Sequence, residues 1–184
     1  GVMKKALTLS GNLVFSYREV NAYNAITNYI QKISGEVLIT GTPKFGEILT
    51  ADISKIDPEG ATISYQWLRN MIPITGANSS TYLLSQADIG AQVSIRVTGI
   101  CDFAGEILSS FVLPVKADAP APPPAPVLSS KTHNTVVLTT IAGHEYRRGN
   151  GSWQVSGSFS GLMPDTIYTF SARIAETGTH FASG

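Results

Sequence analysis

The residues that could do chemistry in this chain are few and widely spaced. Its three histidines, His133, His144 and His180, show neither the H-x-H nor the i, i+4 spacing of a zinc site. Serines are plentiful, but none lies in a G-x-S-x-G nucleophile elbow. We therefore predict no catalytic residues, no cofactor and no metal site, and we do not expect an enzyme.

Calcium is the alternative metal, because loop carboxylates can bind it at the end of a β-sandwich. The acidic residues that could take part are scattered and form no D-x-D-x-D run, so a calcium site is not favoured. They are Asp52, Asp57, Glu59, Asp88 and Asp102.

Two aromatic residues are candidates for ligand binding. Tyr146 and Trp153 flank the predicted hairpin turn Arg148-Gly-Asn-Gly151. One interpretation is that both rings pack on the domain. The other is that they form a platform for a sugar, since exposed Tyr and Trp rings offer flat apolar faces. Burial of both would favour a structural role, and exposure in a groove would favour sugar binding.

The chain has one cysteine, Cys101, so an intrachain disulfide is impossible. Because Cys101 follows Ile100 near the end of a predicted strand, we expect a small buried or half-buried core residue rather than a reactive thiol.

Charge and hydropathy exclude two classes of partner. The 13 basic and 13 acidic residues leave no net charge and no basic patch, so we expect no nucleic acid. No apolar run approaches the roughly 20 residues of a membrane span, so we expect no membrane insertion.

A proline run from Asp118 to Val127 organises the chain, since it holds five of the ten prolines. Proline removes a backbone donor and disfavours helix in the residue before it, so we predict a semi-rigid polyproline II linker. The predicted domains are an N-terminal segment at 1–35, a β-domain at 36–116, the linker at 117–126 and a second β-domain at 127–184.

The N-terminal segment predicts a hairpin followed by a helix. Apolar residues alternate between Leu7 and Tyr17 around the turn residues Ser10-Gly-Asn12. From Asn21 to Ile33 the apolar spacing changes to three, four and seven, which is one helical face.

Both β-domains read as short strands between turn signals, which predicts an all-β fold of two antiparallel sandwiches. In the first domain Val93, Ile95 and Val97 should face the core, with Ser94 and Arg96 on the other side. The predicted strands are Glu36–Thr40, Glu47–Ser54, Ala61–Arg69, Thr81–Leu84, Ala91–Cys101, Glu106–Val115, Val127–Ser130, Thr135–Ile141, His144–Arg148, Ser152–Val155 and Ile167–Glu176.

The first β-domain carries Gly46-Glu-Ile-Leu-Thr-Ala51, Ser64-Tyr-Gln-Trp-Leu-Arg69 and Ala87-Asp-Ile-Gly90 followed by Val93-Ser-Ile-Arg-Val97. These motifs resemble the bacterial immunoglobulin-like domains of large surface proteins. The resemblance implies that Trp67 is the core tryptophan of the third strand. It also implies that Asp88 and Gly90 shape the corner before the next-to-last strand.

In the second β-domain Leu162, Pro164, Thr166 and Tyr168 resemble the L-x-P-x-T-x-Y signature of fibronectin type III domains. The resemblance implies that the Tyr168 hydroxyl bonds back to the backbone at a strand corner. The run from His144 to Trp153 resembles the hairpin of the bacterial surface version. Such a domain would add a final strand after residue 184, so we expect that this strand is missing and leaves an open sheet edge.

These resemblances imply a non-enzymatic modular region of a bacterial cell-surface or secreted protein, acting as a stalk or an adhesion module. The alternatives are a carbohydrate-binding accessory region of a secreted polysaccharide-degrading enzyme and, less favoured, a phage tail decoration. The expected location is extracellular. If the modules bind a partner, the expected class is a host or cell-wall glycan or a matrix protein.

Overall fold

The structure, a computed structural model, describes residues 7–9, 13–15 and 30–184. Regular structure in these residues is almost entirely β-strand, and the one helical element described is the 3₁₀ turn Gln86–Asp88. The all-β prediction is therefore confirmed. None of the described segments is a helix with the length and apolar character of a membrane span. The strands are β1 Leu7–Leu9, β2 Leu13–Phe15, β3 Gln31–Lys32, β4 Ser34–Thr40, β5 Ile48–Asp57, β6 Ile63–Arg69, β7 Ile72–Pro73, β8 Thr81–Leu83, β9 Val93–Gly99, β10 Phe103–Ala104, β11 Glu106–Leu108, β12 Leu128–Lys131, β13 Val136–Leu138, β14 His144–Arg148, β15 Ser158–Phe159 and β16 Phe170–Ile174.

The chain divides into two compact units. Unit 1 comprises the described residues up to Gly41 together with Leu49–Tyr82 and Gln92–Val112. Unit 2 comprises Thr42–Ile48, Leu83–Ala91 and Leu113–Gly184. This division differs from the boundaries expected from the sequence, because the proline run and three short stretches of the first predicted β-domain, 42–48, 83–91 and 113–116, belong to unit 2.

Unit 1 is built on an antiparallel sheet in the order β11-β9-β6-β7, with β4 lying against β9 and β11. Val93, Ile95 and Val97 are completely buried, as their alternation predicts. Ser94, expected on the other face, is also buried beside its cross-strand partner Leu68.

Trp67 lies at the centre of unit 1 and has no exposed surface. Its indole Nε1 donates to the Ser79 carbonyl at 2.9 Å, and its ring stacks on Tyr82 with centroids 5.5 Å apart. The indole therefore buries a large apolar surface without leaving its one donor unpaired.

The predicted N-terminal hairpin is confirmed in its pairing, since β1 and β2 are antiparallel with Leu7 opposite Phe15. Most of the helix predicted from Asn21 to Ile33 lies outside the described residues. Its last part is not helical, because Gln31–Lys32 pairs in parallel with Phe103–Ala104. Backbone partners at Asp102 and Ala104 hold the segment extended.

Cys101 corrects a second expectation. It is exposed in the turn after β9 and has a φ of 61°, so it is not a core residue. Strand β9 ends at Gly99, two residues earlier than predicted, where the backbone of Ala104 approaches too closely for a side chain.

The second half of unit 2 contains the sheets β12-β13-β15 and β14-β16. Leu138 and Phe159 from the first sheet meet Tyr146 from the second, and Phe170 and Ala172 pack against them. The predicted strand Ser152–Val155 is reduced to a single antiparallel bridge between Gln154 and Tyr146. These contacts place one face of β14 and β16 on the core and leave the other face outward.

We predict that Trp67→Ala lowers the free energy of unfolding of unit 1 by about 3–5 kcal/mol, because it leaves a large cavity and an unpaired carbonyl at Ser79. Urea unfolding followed by circular dichroism measures this change. Met71→Ala is the control, since Met71 is 55% exposed. A Trp67→Ala protein that unfolds at the wild-type urea concentration would contradict the central role of Trp67.

Candidate functional site

The structure separates the two aromatic residues that the sequence suggested as a sugar platform. Tyr146 is 1% exposed and belongs to the core of unit 2. Its hydroxyl accepts a hydrogen bond from the Ile141 backbone N–H at 2.8 Å. A ring buried in this way offers no face to a ligand, so its burial favours the packing interpretation of Tyr146 over the stacking one.

Trp153 is half-buried, and two arginine side chains lie over its ring. The guanidinium carbon of Arg147 is 4.3 Å from the ring centroid, and that of Arg173 is 4.5 Å from it. These are cation–π distances. The guanidinium groups occupy the space in which a neutral sugar would stack, so Trp153 serves here as a support for two cations.

Strand alternation brings this cluster together. Tyr146 pairs with Ala172, and both point into the core. Their neighbours Glu145, Arg147 and Arg173 therefore share the opposite, outward face of β14 and β16. We call Glu145, Arg147, Trp153 and Arg173 the Trp153 cluster.

The hairpin turn carries Trp153 to the same place. The Gly151 N–H bonds to the Arg148 carbonyl at 2.9 Å, and Gly149 adopts a φ of 49°, which glycine accepts without strain. Two backbone hydrogen bonds between Tyr146 and Gln154, at 2.7 and 2.9 Å, then set Trp153 beside β14.

The two arginines have different electrostatic surroundings. Arg173 contacts the Glu145 carboxylate through Nε and Nη2, both at 2.8 Å. The Arg147 side chain has no carboxylate within 4.0 Å and no hydrogen-bond partner among the described residues, and its Nε is buried without an acceptor there. The cluster contains two guanidinium groups and one carboxylate, so it has one net positive charge.

The predicted corner residues of the first β-domain lie in unit 2. Asp88 is completely buried, and its carboxylate accepts hydrogen bonds from the Ser85 N–H at 2.7 Å and the Ser85 hydroxyl at 2.6 Å. Gly90 has a φ of 74°, and its N–H bonds to the Pro114 carbonyl at 2.8 Å. Both residues shape the backbone around Gln86–Asp88.

The signature residues of the second β-domain form a corner before β16. Leu162 is 8% exposed, and Pro164 accepts a hydrogen bond from the Thr166 hydroxyl at 3.1 Å. The Tyr168 hydroxyl accepts a hydrogen bond from the Met163 N–H at 3.0 Å, five residues upstream. These four signature residues lie at a corner of the backbone, and they are not brought into the Trp153 cluster.

No group of three or more His, Cys, Asp or Glu side chains that could hold a metal occurs in the described residues. Sequence reasoning did not single out Arg147 and Arg173. For Arg147 the signal was strand alternation: once Tyr146 is buried, its neighbours Glu145 and Arg147 share the opposite face. Arg173 reaches that face only by pairing opposite Glu145.

We predict that Arg147→Ala and Arg173→Ala each expose Trp153, because each removes a group that covers its ring. Acrylamide quenching of tryptophan fluorescence measures this exposure, and Trp67, the other tryptophan, is buried and contributes little. The control is Arg148→Ala, since Arg148 lies over Tyr168 instead. Equal quenching in all four proteins would show that the arginines do not cover the ring.

No protein-family model matches this chain, and no curated protein matches it either. The resemblances to immunoglobulin-like and fibronectin type III domains therefore rest on the quoted residues alone.

Proposed function

We propose that the chain is a non-enzymatic modular region of a bacterial cell-surface or secreted protein and that it acts as a structural spacer. The observation that carries this proposal is a set of contacts in unit 2 that holds Lys116 and Ala117 against 176–181 and Asp118 against Lys44. A spacer keeps the domains that it joins at a defined distance, so the residues next to its linker have to be held in place.

The backbone supplies the first part of this set. Ala117 and His180 form a parallel bridge. The Ala117 N–H donates to the Thr179 carbonyl at 2.8 Å, and the Phe181 N–H donates to the Ala117 carbonyl at 3.2 Å. The chain is therefore tied down directly before the proline run begins.

Charged side chains supply the second part. The Lys116 ammonium contacts the Glu176 carboxylate and donates to the Thr177 carbonyl at 2.7 Å. The Lys44 ammonium pairs with Asp118 at 2.6 Å. The ring of Phe45 meets the His180 ring edge to face, with centroids 5.7 Å apart. Each contact is weak when exposed, but together they act on one short segment.

The proline run 118–127 contains no strand or helix, in keeping with a polyproline II segment whose prolines fix φ. A tied segment followed by a stiff one favours a defined geometry over a flexible tether. The pairing of two sandwiches, one immunoglobulin-like around Trp67 and one fibronectin-like around the Tyr168 corner, belongs to the same proposal.

We also propose that the chain lies outside the cell and that, if it binds a partner, the partner is a glycan or a matrix protein. A platform for neutral sugars at Trp153 is not favoured, because Arg147 and Arg173 lie over the ring and Tyr146 is buried.

The pKa of Glu176 is lowered from its ordinary value of 4.5, chiefly by the hydrogen bond and charge of Lys116. A carboxyl whose folded pKa is lowered stabilises the fold above its unfolded pKa and loses that contribution as pH falls through the folded pKa. We predict that Lys116→Met raises the pKa of Glu176 towards 4.5 in an NMR titration. The pKa of Asp52, lowered by the Ser54 backbone N–H, should stay unchanged.

The spacer proposal predicts a narrow distance distribution between spin labels at Glu47→Cys and Ser152→Cys, both exposed positions of unit 2, in a Cys101→Ser background. Replacing Lys44 and Lys116 together by Ala should broaden it, because two of the side-chain ties are lost. Electron–electron double resonance measures the distribution. Lys55→Ala is the control, since it removes an exposed ion pair with Glu36 elsewhere.

A broad distribution in the protein that keeps both lysines would contradict a fixed segment before the linker and would overturn the spacer proposal.

A further inference from the structure

Arg147 is a charged side chain held in place without an anionic partner. Its guanidinium is fixed over Trp153, and no carboxylate of the described residues lies within 4.0 Å of it. Its Nε is buried without an acceptor among the described residues, although the residue as a whole is half-buried. The donors that remain for a ligand are therefore the two terminal groups of the guanidinium fork.

A guanidinium fork recognises a planar carboxylate by two parallel hydrogen bonds, and a lysine cannot do the same. Stacking on Trp153 has already restricted the Arg147 side chain, so a ligand would not have to order it again. Arg173 adds a second positive charge, partly balanced by Glu145. The cluster as a whole is thus built to attract one negative group.

We propose that the Trp153 cluster binds a carboxylate group of an acidic polysaccharide, a chain of uronic acid units. Sugar hydroxyls find partners beside it, because Ser171 lies opposite Arg147 on the outward face and Ser152 is exposed next to Trp153. The excess of a single positive charge suits one carboxylate per site, whereas nucleic acid needs many cations along its backbone.

This inference rests on the glycan partner of the proposed function. It does not depend on the spacer role, since the cluster lies on an outward sheet face and uses none of the contacts around Lys116. It differs from sugar stacking on a bare indole, because the arginines make the contact and Trp153 orients them.

The test is titration of the full chain with a galacturonic acid oligosaccharide, followed by NMR of the Trp153 indole N–H and the arginine Nε–H groups. Saturable shifts of these signals are expected, and the methyl-esterified oligosaccharide should produce none. Arg147→Gln should weaken binding by about tenfold or more through loss of charge-assisted hydrogen bonds. Arg147→Lys, which keeps the charge and loses the fork, should also weaken it, but less.

Arg148→Gln is the matched control. It removes the same charge from the next residue along the chain, whose side chain lies over Tyr168 and not over Trp153. Affinity within twofold of wild type is expected for this variant. Equal loss in both variants would mean attraction by general charge and would overturn the site.

Two further ligands complete the test. Poly-glutamate and duplex DNA, at the same charge concentration, should bind at least tenfold more weakly than the oligosaccharide. Equal or tighter binding of either one would overturn the polysaccharide assignment. No saturable binding of the uronic acid oligosaccharide to the folded wild-type protein would overturn the site itself.

Discussion

The described β-structure depends on aromatic rings that are buried or half-buried while their polar atoms bond to the backbone. Trp67 donates to Ser79, the Tyr146 hydroxyl accepts from Ile141, and the Tyr168 hydroxyl accepts from Met163. A buried polar atom without a hydrogen-bond partner lowers the stability of the fold. Each of these rings is therefore buried where its polar atom has a backbone partner, and the hydrogen bond fixes the ring and the nearby chain together. The chain has a single cysteine and so no intrachain disulfide. These hydrogen bonds and the aliphatic residues around the rings therefore stabilise each unit by itself.

Burial of Tyr146 also determines the surface. Once this ring faces the core, strand geometry sends Glu145 and Arg147 to the opposite side, and pairing with β16 adds Arg173. Trp153 arrives from the hairpin and receives both guanidinium groups. The chemistry of the outward face therefore follows from the packing of the inward face, and a residue suggested as a ligand contact became the anchor of that packing.

The segment before the proline run is held in place by contacts with residues distant in sequence. Prolines restrict φ within the run, but they do not orient its start. Two long-range contacts provide that orientation. Ala117 forms a bridge with His180, and Lys116 contacts Glu176, which is 60 residues away in sequence. Restriction of φ by the prolines and long-range contacts thus contribute separately to the structure of unit 2.

The sequence by itself determined the all-β character, most strand positions and the burial of Val93, Ile95 and Val97, because period-two alternation and turn residues are local signals. It also determined the N-terminal hairpin pairing. The strand at Gln31–Lys32, the exposure of Cys101 and the grouping of the proline run with Thr42–Ile48 were decided only in three dimensions. The Trp153 cluster belongs to this second group, since the sequence marked two aromatic residues but could not say which would be buried. The exposure of Cys101 follows from a tight local turn between Gly99 and Ala104. The others depend on partners distant along the chain, and local periodicity carries no information about such partners.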